Sequence, residues 1–125
     1  MKAGPPLVFA PSLAEARTIY GSILGLALIH EDPDQLVFQL EGQTLHVFSA
    51  AGRAADAQHG AHAASVITFE VDDLEGALQA IAARGAELLH AAPARNEAAG
   101  LRYAAFRGPG GLVHELVERL TAPGP

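Results

Sequence analysis

Apolar and polar positions follow the same order of patterns in the two halves of this chain. In the first half, an apolar run at 7–10 precedes a helical pattern that ends at Gly25, with apolar residues recurring every three or four positions. Three short strand-like segments follow at 26–30, 36–40 and 44–48, separated by residues typical of turns. The last two segments have the spacing of a tight hairpin. This half therefore predicts a strand, a helix and three strands.

The second half repeats that order. Residues 66–71 predict a strand, the next helical pattern ends at Gly85, and a short strand is expected at 86–89. The stretch 91–100 is interpreted as a loop. A hairpin is then predicted from the segments 101–106 and 112–118, which flank the turn 108–111.

Both predicted helices begin with a residue suited to cap them. Ser12 precedes the first helix and Glu15 stands three residues later, the spacing of a capping box, while Asp72 and Asp73 precede the second helix. Two such copies cannot each close a core, so we expect helices on one face of a curved mixed sheet and a cavity on the other. The predicted fold class is α+β, with two βαβββ modules.

The length favours a single domain made of both copies. Module one spans about 5–49, an Ala-, Gly- and His-rich connector spans 50–64, and module two spans about 65–119. A short tail at 120–125 is expected to be frayed.

Composition excludes several classes of function. The chain has no cysteine, so disulfides, cysteine-ligated metals and thiol nucleophiles are ruled out. Fourteen acidic residues against eight basic ones give a net charge of −6, which disfavours binding to nucleic acid. Because no signal-peptide pattern or membrane-spanning run is found, we expect a cytoplasmic protein that does not bind membranes.

Several short motifs resemble, in order and spacing, those of the vicinal oxygen chelate superfamily, which includes glyoxalase I, bleomycin-resistance proteins and extradiol dioxygenases. They occupy residues 12–20, 24–26, 69–74, 84–86, 106–111 and 114–118. Gly108 and Gly110 replace the aspartates usual in the last turn of that family. The resemblance covers about 7–118, and it implies the two-module fold and a homodimer.

The resemblance also implies where a metal would bind. Metal-dependent members have four ligand positions, which correspond here to Pro5, His46, Val66 and Glu115. Because Pro5 and Val66 have no donor atom, one imidazole and one carboxylate remain, fewer than the three or more ligands typical of catalytic sites. No cofactor is therefore predicted. If Ni, Mn, Fe or Zn does bind, His46 and Glu115 would hold it, completed by water, by His30 or by a histidine of the connector.

Strand alternation assigns further side chains to the sheet face of His46 and Glu115. The candidate substrate-binding residues on this largely apolar face are Leu7, Phe9, Phe48, Thr68, Glu70 and Val113. Phe9 and Phe48 would either stack on a flat ligand or fill the core. His46 and Glu115 are the candidate catalytic residues, because a carboxylate beside an imidazole can act as an acid and base pair near neutral pH.

Four other residues, three histidines and one arginine, carry further expectations. His59 and His62, three residues apart, would share a helical face if the connector forms a helix, and otherwise belong to a solvated loop. His114 neighbours Glu115 in a strand and is therefore expected on the opposite sheet face. Arg102 would pair with an anionic ligand group or with a surface carboxylate such as Glu97.

Two functions of different classes remain open. In the first, the protein binds a small, partly apolar or aromatic molecule in the sheet cavity without a metal, as bleomycin-resistance-like proteins do. In the second, it is a metal-dependent lyase, isomerase or dioxygenase that uses His46 and Glu115. Whether the protein is an enzyme is thus left open by the sequence, and the identity of the ligand is not encoded in a short motif.

Overall fold

The structure is a computed structural model that describes residues 5–50, 66–97 and 99–120. It confirms the α+β class and the two βαβββ modules. The predicted connector, with His59 and His62, and the tail beyond residue 120 lie outside the described residues. In the described part of the chain, no helix is long and apolar enough to cross a membrane.

The chain divides into two compact units. The first unit comprises Met1–Ser65 and the turn Gly108–Gly111, and the second comprises Val66–Arg107 and Leu112–Pro125. The turn between the last two strands of the second module therefore belongs, by its contacts, to the first unit.

The first unit contains one mixed four-stranded sheet. Its elements are β1 (Leu7–Ala10), α1 (Leu13–Ala16) continuing into a π-helix (Arg17–Ile23), β2 (Ala27–Asp32), β3 (Gln35–Leu40) and β4 (Gln43–Ser49). The strand order is β1-β4-β3-β2, with β1 parallel to β4 and the other pairs antiparallel. Leu40 pairs with Gln43, which confirms the tight hairpin.

The first helix begins as its sequence predicts. The Ser12 hydroxyl accepts a hydrogen bond from the Glu15 N–H at 3.1 Å. The Glu15 side chain, however, does not complete the capping box, because its Oε1 accepts a hydrogen bond from the Gly110 N–H at 2.6 Å. A long-range contact thus replaces the local one.

The first helix ends in a π-helical segment. The Leu24 N–H donates to the Ile19 carbonyl at 2.9 Å, a five-residue step that defines a π-helical turn. Gly25 follows with φ of 75°, the left-handed conformation expected at the predicted helix end. Tyr20 and Ile23 lie on the buried side of this segment.

The core of the first unit lies between the helix and one face of the sheet. It contains Val8, Ala10, Ala16, Tyr20, Ile23, Leu36, Phe38, Leu45 and Val47. The Tyr20 ring packs edge-on against Phe38, with ring centroids 5.6 Å apart. Burial raises the pKa of the Tyr20 hydroxyl. Each fully buried large side chain in such a core contributes roughly 1.5–3 kcal/mol to stability.

The second unit contains the other four-stranded sheet, in the order β5-β8-β7-β6. Its elements are β5 (Ile67–Glu70), α2 (Leu74–Ala83), β6 (Ala94–Asn96), β7 (Leu101–Arg107) and β8 (Val113–Arg119), with a short 3₁₀ turn (Pro109–Gly111) before β8. β5 is parallel to β8, and the other pairs are antiparallel. The predicted hairpin of the last two strands is therefore confirmed.

Two predictions for the second unit are wrong. The segment 86–89 is not a strand, since only an isolated bridge joins Leu88 to Phe106. The second strand of this unit instead lies at Ala94–Asn96, inside the stretch interpreted as a loop. Its three residues have low strand propensity, and the strand exists because β7 supplies a partner, with Ala94 opposite Tyr103.

The second helix and the buried histidine follow the prediction. Asp73 caps α2 by accepting a hydrogen bond from the Gly76 N–H at 3.1 Å. His114 faces the helix side of its sheet, where it is only 2% exposed, with ring centroids 5.8 Å from Phe69 and 5.7 Å from Phe106. Burial lowers the pKa of the His114 imidazole.

Candidate functional site

The candidate residues of the first unit share the sheet face opposite the helix, called here the open face of the first unit. In the parallel pair of β1 and β4, Leu7 lies opposite His46 and Phe9 lies opposite Phe48. Thr44 precedes His46 by two residues in β4 and so points to the same side. The face assignments made from strand alternation are confirmed for these residues, whereas their role in binding remains a prediction.

Three rings form a row on this open face. The ring centroids of Phe9 and Phe48 are 5.8 Å apart at an interplanar angle of 31°, and His46 stacks on Phe48 at 6.4 Å and 18°. The hydroxyl of Thr44 lies 2.8 Å from His46 Nε2. This hydrogen bond fixes the orientation of the imidazole and engages its Nε2 atom.

A second polar group on the same face belongs to the edge strand β2. His30 Nε2 lies 2.9 Å from Asp32 Oδ2. The hydrogen bond from His30 is the largest of several that lower the pKa of Asp32 to about 2. His30 pairs with Val37, which in turn pairs with His46, so His30 and His46 are separated by two strand spacings, about 10 Å. His30 is therefore engaged with Asp32 rather than placed beside His46.

The open face of the second unit, again the face opposite its helix, carries the remaining candidates. Thr68 lies opposite Glu115 in the pair of β5 and β8, and Glu70 lies opposite Val117. Arg119 Nε donates to Glu70 Oε1 at 2.8 Å. Val113, also on this face, is 37% exposed.

Glu115 has a different environment from Glu70. It is half-buried, and within residues 66–97 and 99–120 its carboxylate has no hydrogen-bond or ion-pair partner. Ala105 of β7 lies directly opposite it. The Glu115 carboxylate thus differs from that of Glu70, which Arg119 binds.

His90 has a structural role that sequence reasoning missed. Its Nδ1 accepts a hydrogen bond from the Ala105 N–H at 2.9 Å, and its ring meets Tyr103 edge-on with centroids 5.8 Å apart. The Leu89 N–H also donates to the Ala105 carbonyl. The imidazole thus takes the place of a backbone acceptor beside β7. No local pattern indicates this role, because the partner strand is fifteen residues further along the chain.

Arg102 pairs with carboxylates other than the one expected. It lies on the helix side of β7 and donates to both oxygens of Glu75, and it also contacts Glu118 Oε1 at 2.9 Å. Glu97 instead pairs with Arg95 at 2.8 Å. Of the two alternatives for Arg102, pairing with carboxylates of the protein is the one observed. The example given, Glu97, is not a partner, because it pairs with Arg95, whereas Glu118 lies opposite Arg102 in the strand pair.

One group of three potential metal-binding side chains is present in the described ranges, and it has another role. It consists of Asp73, Glu75 and Glu118. Arg102 neutralises two of its carboxylates, and Glu118 Oε2 accepts the Leu74 N–H at 2.8 Å. These contacts cap the beginning of α2, so the group stabilises a helix end.

The positions that the resemblance assigns to metal ligands do not fit a divalent ion. The side chains of Pro5 and Val66 are hydrocarbon, and the Nε2 atom of His46 already bonds to Thr44. His46 and Glu115 belong to different units, and among the described residues neither unit offers a set of three ligands that includes one of them.

The fold defines an α+β protein built from a duplicated βαβββ module, with a helix behind each sheet. The family model described as the Glyoxalase/Bleomycin resistance protein/Dioxygenase superfamily matches residues 3–116. The chain therefore belongs to this superfamily, the vicinal oxygen chelate superfamily, as its motifs predict.

Solved structures share this fold. A glyoxalase/bleomycin resistance protein/dioxygenase from Nocardioides is 21% identical, with a TM-score of 0.73 over 100% of this chain and 87% of its own. A glyoxalase-related enzyme from Fulvimarina pelagi is 15% identical, with a TM-score of 0.73 over 95% and 88% of the two chains. A glyoxalase family protein from Enterococcus faecalis is 21% identical, with a TM-score of 0.73 over 94% and 97%. No curated protein matches the chain in sequence.

Proposed function

We propose that this superfamily member binds a small, partly apolar or aromatic molecule on the open faces of its sheets, with an incomplete metal site. The observation that carries the proposal is the row of rings formed by Phe9, Phe48 and His46. Phe9 and Phe48 are half-buried, and within residues 5–50 they lie on the sheet face opposite the helix. A flat ligand would remove the exposed ring surface from water.

Physical chemistry favours an apolar partner for this row. Removing apolar surface from water gains roughly 25 cal/mol per Å², and an offset or edge-on aromatic contact adds about 0.5–1.5 kcal/mol. Leu7, beside the row, is 54% exposed and offers further apolar surface. His46 in the first unit and Glu115 in the second would each orient a ligand on the open face of its own unit, and each could act as an acid or base if a reaction occurs.

The proposal excludes a metal as a requirement for binding. The basis is that Pro5 and Val66, at two of the four ligand positions, have hydrocarbon side chains, and that His46 is hydrogen-bonded to Thr44. By resemblance to the family, it includes a homodimer in the cytoplasm, which light scattering of the purified protein and cell fractionation would test.

The binding site is tested by a pair of matched substitutions. Leu7 and Ile29 are equally exposed, at 54% and 53%, but Leu7 borders the row of rings whereas Ile29 lies at the bulge of edge strand β2. Substituted benzenes and naphthalenes would be titrated into labelled protein and followed by amide correlation NMR. We expect shifts at Leu7, Phe9, His46 and Phe48, with Leu7→Ala weakening binding about tenfold and Ile29→Ala less than twofold.

Two results would contradict the proposal. One is the absence of binding by every fragment at millimolar concentration. The other is an equal loss of affinity in both variants, which would indicate non-specific contact with exposed apolar side chains rather than a site at the row of rings.

A further inference from the structure

His46 has one ring nitrogen that is engaged and one that is not. Nε2 lies 2.8 Å from the Thr44 hydroxyl, whereas Nδ1 has no hydrogen-bond partner within the described ranges. No buried side-chain nitrogen or oxygen among the described residues lacks a partner, so the Nδ1 atom of this half-buried residue is reached by solvent. The two nitrogens of an imidazole point in different directions, and Nδ1 therefore faces away from the Thr44 hydroxyl. A ligand at the open face of the first unit can contact this atom.

The contact with Thr44 bears on which nitrogen of His46 carries the proton. Among the described residues, the Thr44 hydroxyl has no hydrogen-bond partner other than His46. A hydroxyl that donates to Nε2 makes this nitrogen an acceptor, and the neutral imidazole then carries its proton on Nδ1. In this arrangement the solvent-exposed nitrogen of His46 is an N–H donor rather than an acceptor.

Apolar surface for a ring lies next to His46. Leu7 lies opposite His46 in the parallel pair of β1 and β4 and is 54% exposed. Phe48, the next residue of β4 on this face, is half-buried, with its ring centroid 6.4 Å from that of His46. Because paired strands lie about 4.8 Å apart, one benzene ring with a one-carbon substituent is long enough to contact both Leu7 and His46. The surface thus fits a single aryl group with an acceptor close to its ring.

The charges near this face favour an acceptor that is itself uncharged. Asp32 of β2 lies on the same face. Hydrogen bonds, the largest from His30, lower the pKa of Asp32 to about 2, so its carboxylate is ionised at neutral pH. Arg17, the only lysine or arginine in residues 5–50, binds Glu31 instead. No lysine or arginine in that range is therefore left to neutralise an anionic ligand, which the Asp32 carboxylate would repel.

We propose that this face binds an aromatic compound whose ring carries an uncharged carbonyl group, as in an aryl ketone, and that Thr44 is the positioning residue for the contact. The Thr44 hydroxyl donates to His46 Nε2, and the carbonyl oxygen of the ligand accepts from His46 Nδ1–H. The aryl ring lies on Leu7, beside Phe48. This inference rests on the proposed function and specifies the class of ligand and the residues that select it.

The test compares two probes of nearly equal shape. Acetophenone carries the carbonyl group, and α-methylstyrene has a methylidene group in its place. Their dissociation constants would be measured by NMR titration at pH 8, with a chelator present, on wild type, Thr44→Val, Thr44→Ser and His46→Leu. Thr18→Val is the matched control, because the exposed Thr18 hydroxyl donates to the Ala14 carbonyl within the first helix.

The preference for acetophenone should depend on both hydrogen bonds. Wild type should bind acetophenone about fivefold more tightly than α-methylstyrene, since one hydrogen bond contributes about that factor. His46→Leu should abolish the preference, and Thr44→Val should reduce it because Nδ1 is then no longer held as the donor. Thr44→Ser and Thr18→Val should keep it. Imidazole nitrogen NMR should place the proton of neutral His46 on Nδ1 in wild type and in Thr44→Ser, and shift it toward Nε2 in Thr44→Val.

Several outcomes would overturn the inference. Equal binding of the two probes by wild type would reject the ligand class, while weakening of both by Leu7→Ala would still support the proposed function. Binding of neither probe would also reject the ligand class, and the wider set of benzenes and naphthalenes decides the proposed function separately. A proton on Nε2 of neutral His46 in wild type, or an unchanged preference in Thr44→Val, would show that Thr44 does not position the donor.

Discussion

The guanidinium of Arg102 binds the carboxylate of Glu75 at two points, with Nη1 to Oε1 at 2.6 Å and Nη2 to Oε2 at 2.7 Å. The same guanidinium contacts Glu118, which also caps the first turn of α2 through the Leu74 N–H. A planar guanidinium makes such two-point contacts and a lysine ammonium does not. Arg102 therefore connects strand β7 with the beginning of the helix behind it.

Replacing Arg102 by lysine should lower the melting temperature by a few degrees. The matched control is Arg95→Lys, because Arg95 lies opposite Arg102 in the strand pair but forms only an exposed ion pair with Glu97. Differential scanning calorimetry at neutral pH would measure both. Equal melting temperatures for the two variants would show that the two-point contact does not stabilise the fold.

The same contacts predict a loss of stability in acid. Hydrogen bonds from Arg102 lower the pKa of Glu75, and the Leu74 N–H, followed by Arg102, lowers the pKa of Glu118. Because both pKa values are lower in the folded state, the stabilisation is complete above the unfolded value of about 4.3 and is lost as the pH falls through the folded values. Urea unfolding between pH 5 and 2 should show a shallower decline in Glu118→Gln than in wild type. An unchanged slope would contradict this assignment.

His114 predicts a second, separate dependence on pH. Burial lowers its pKa in the folded state, so the unfolded chain binds this proton first. Stability should be complete above about pH 6.5 and should fall as the pH drops below that value, by at most about 1.4 kcal/mol per pH unit. Urea unfolding of wild type and His114→Leu from pH 8 to 5.5 would measure the slope. Identical slopes in this range would show that His114 is not kept neutral by burial.

Gly110 should tolerate alanine less well than Gly42 does. Both have positive φ, at 66° and 80°, which costs alanine about 1–2 kcal/mol. A methyl group on Gly110 would also lie 2.8 Å from Pro11 Cδ, whereas no atom lies within 4 Å at Gly42. We expect Gly110→Ala to lose about 1–3 kcal/mol more than Gly42→Ala in chemical denaturation. Equal losses would contradict the close approach of the turn to Pro11.

Local patterns were sufficient to predict the modules and the faces of their strands. Ser12 and Asp73 are caps that act on a backbone N–H three residues away, so the sequence alone indicates where both helices begin. The alternation of side chains along a strand likewise predicts that His46 and Val47 point to opposite faces of the sheet, as do Glu115 and His114. Each of these features depends on residues that are close together in the chain, so a local sequence pattern is sufficient to predict it.

Contacts between distant residues were not predictable in the same way. Glu15 has the spacing of a capping box, yet its carboxylate bonds to Gly110, 95 residues away. His90 acquires its role only when β7 lies beside it, and Arg102 finds Glu75 and Glu118 only after the sheet and helix have packed. The donor or acceptor in each case is an ordinary residue, and tertiary structure selects its partner.

If the open faces bind a small molecule without a metal, as we propose, then fragment binding does not depend on any ion. The most direct test is calorimetric titration of chelator-stripped protein with Ni²⁺, Mn²⁺, Fe²⁺ and Zn²⁺. An aromatic fragment that binds wild type is then titrated into the same protein. Both titrations are repeated on the paired variants His46→Ala and His30→Ala. We expect no ion binding that depends on His46, and fragment binding that is the same in chelator and in metal. Two results together would contradict this proposal. The first is micromolar binding of one ion per chain that is lost in His46→Ala but kept in His30→Ala, and the second is fragment binding only when that ion is present. They would support a metal-dependent lyase, isomerase or dioxygenase.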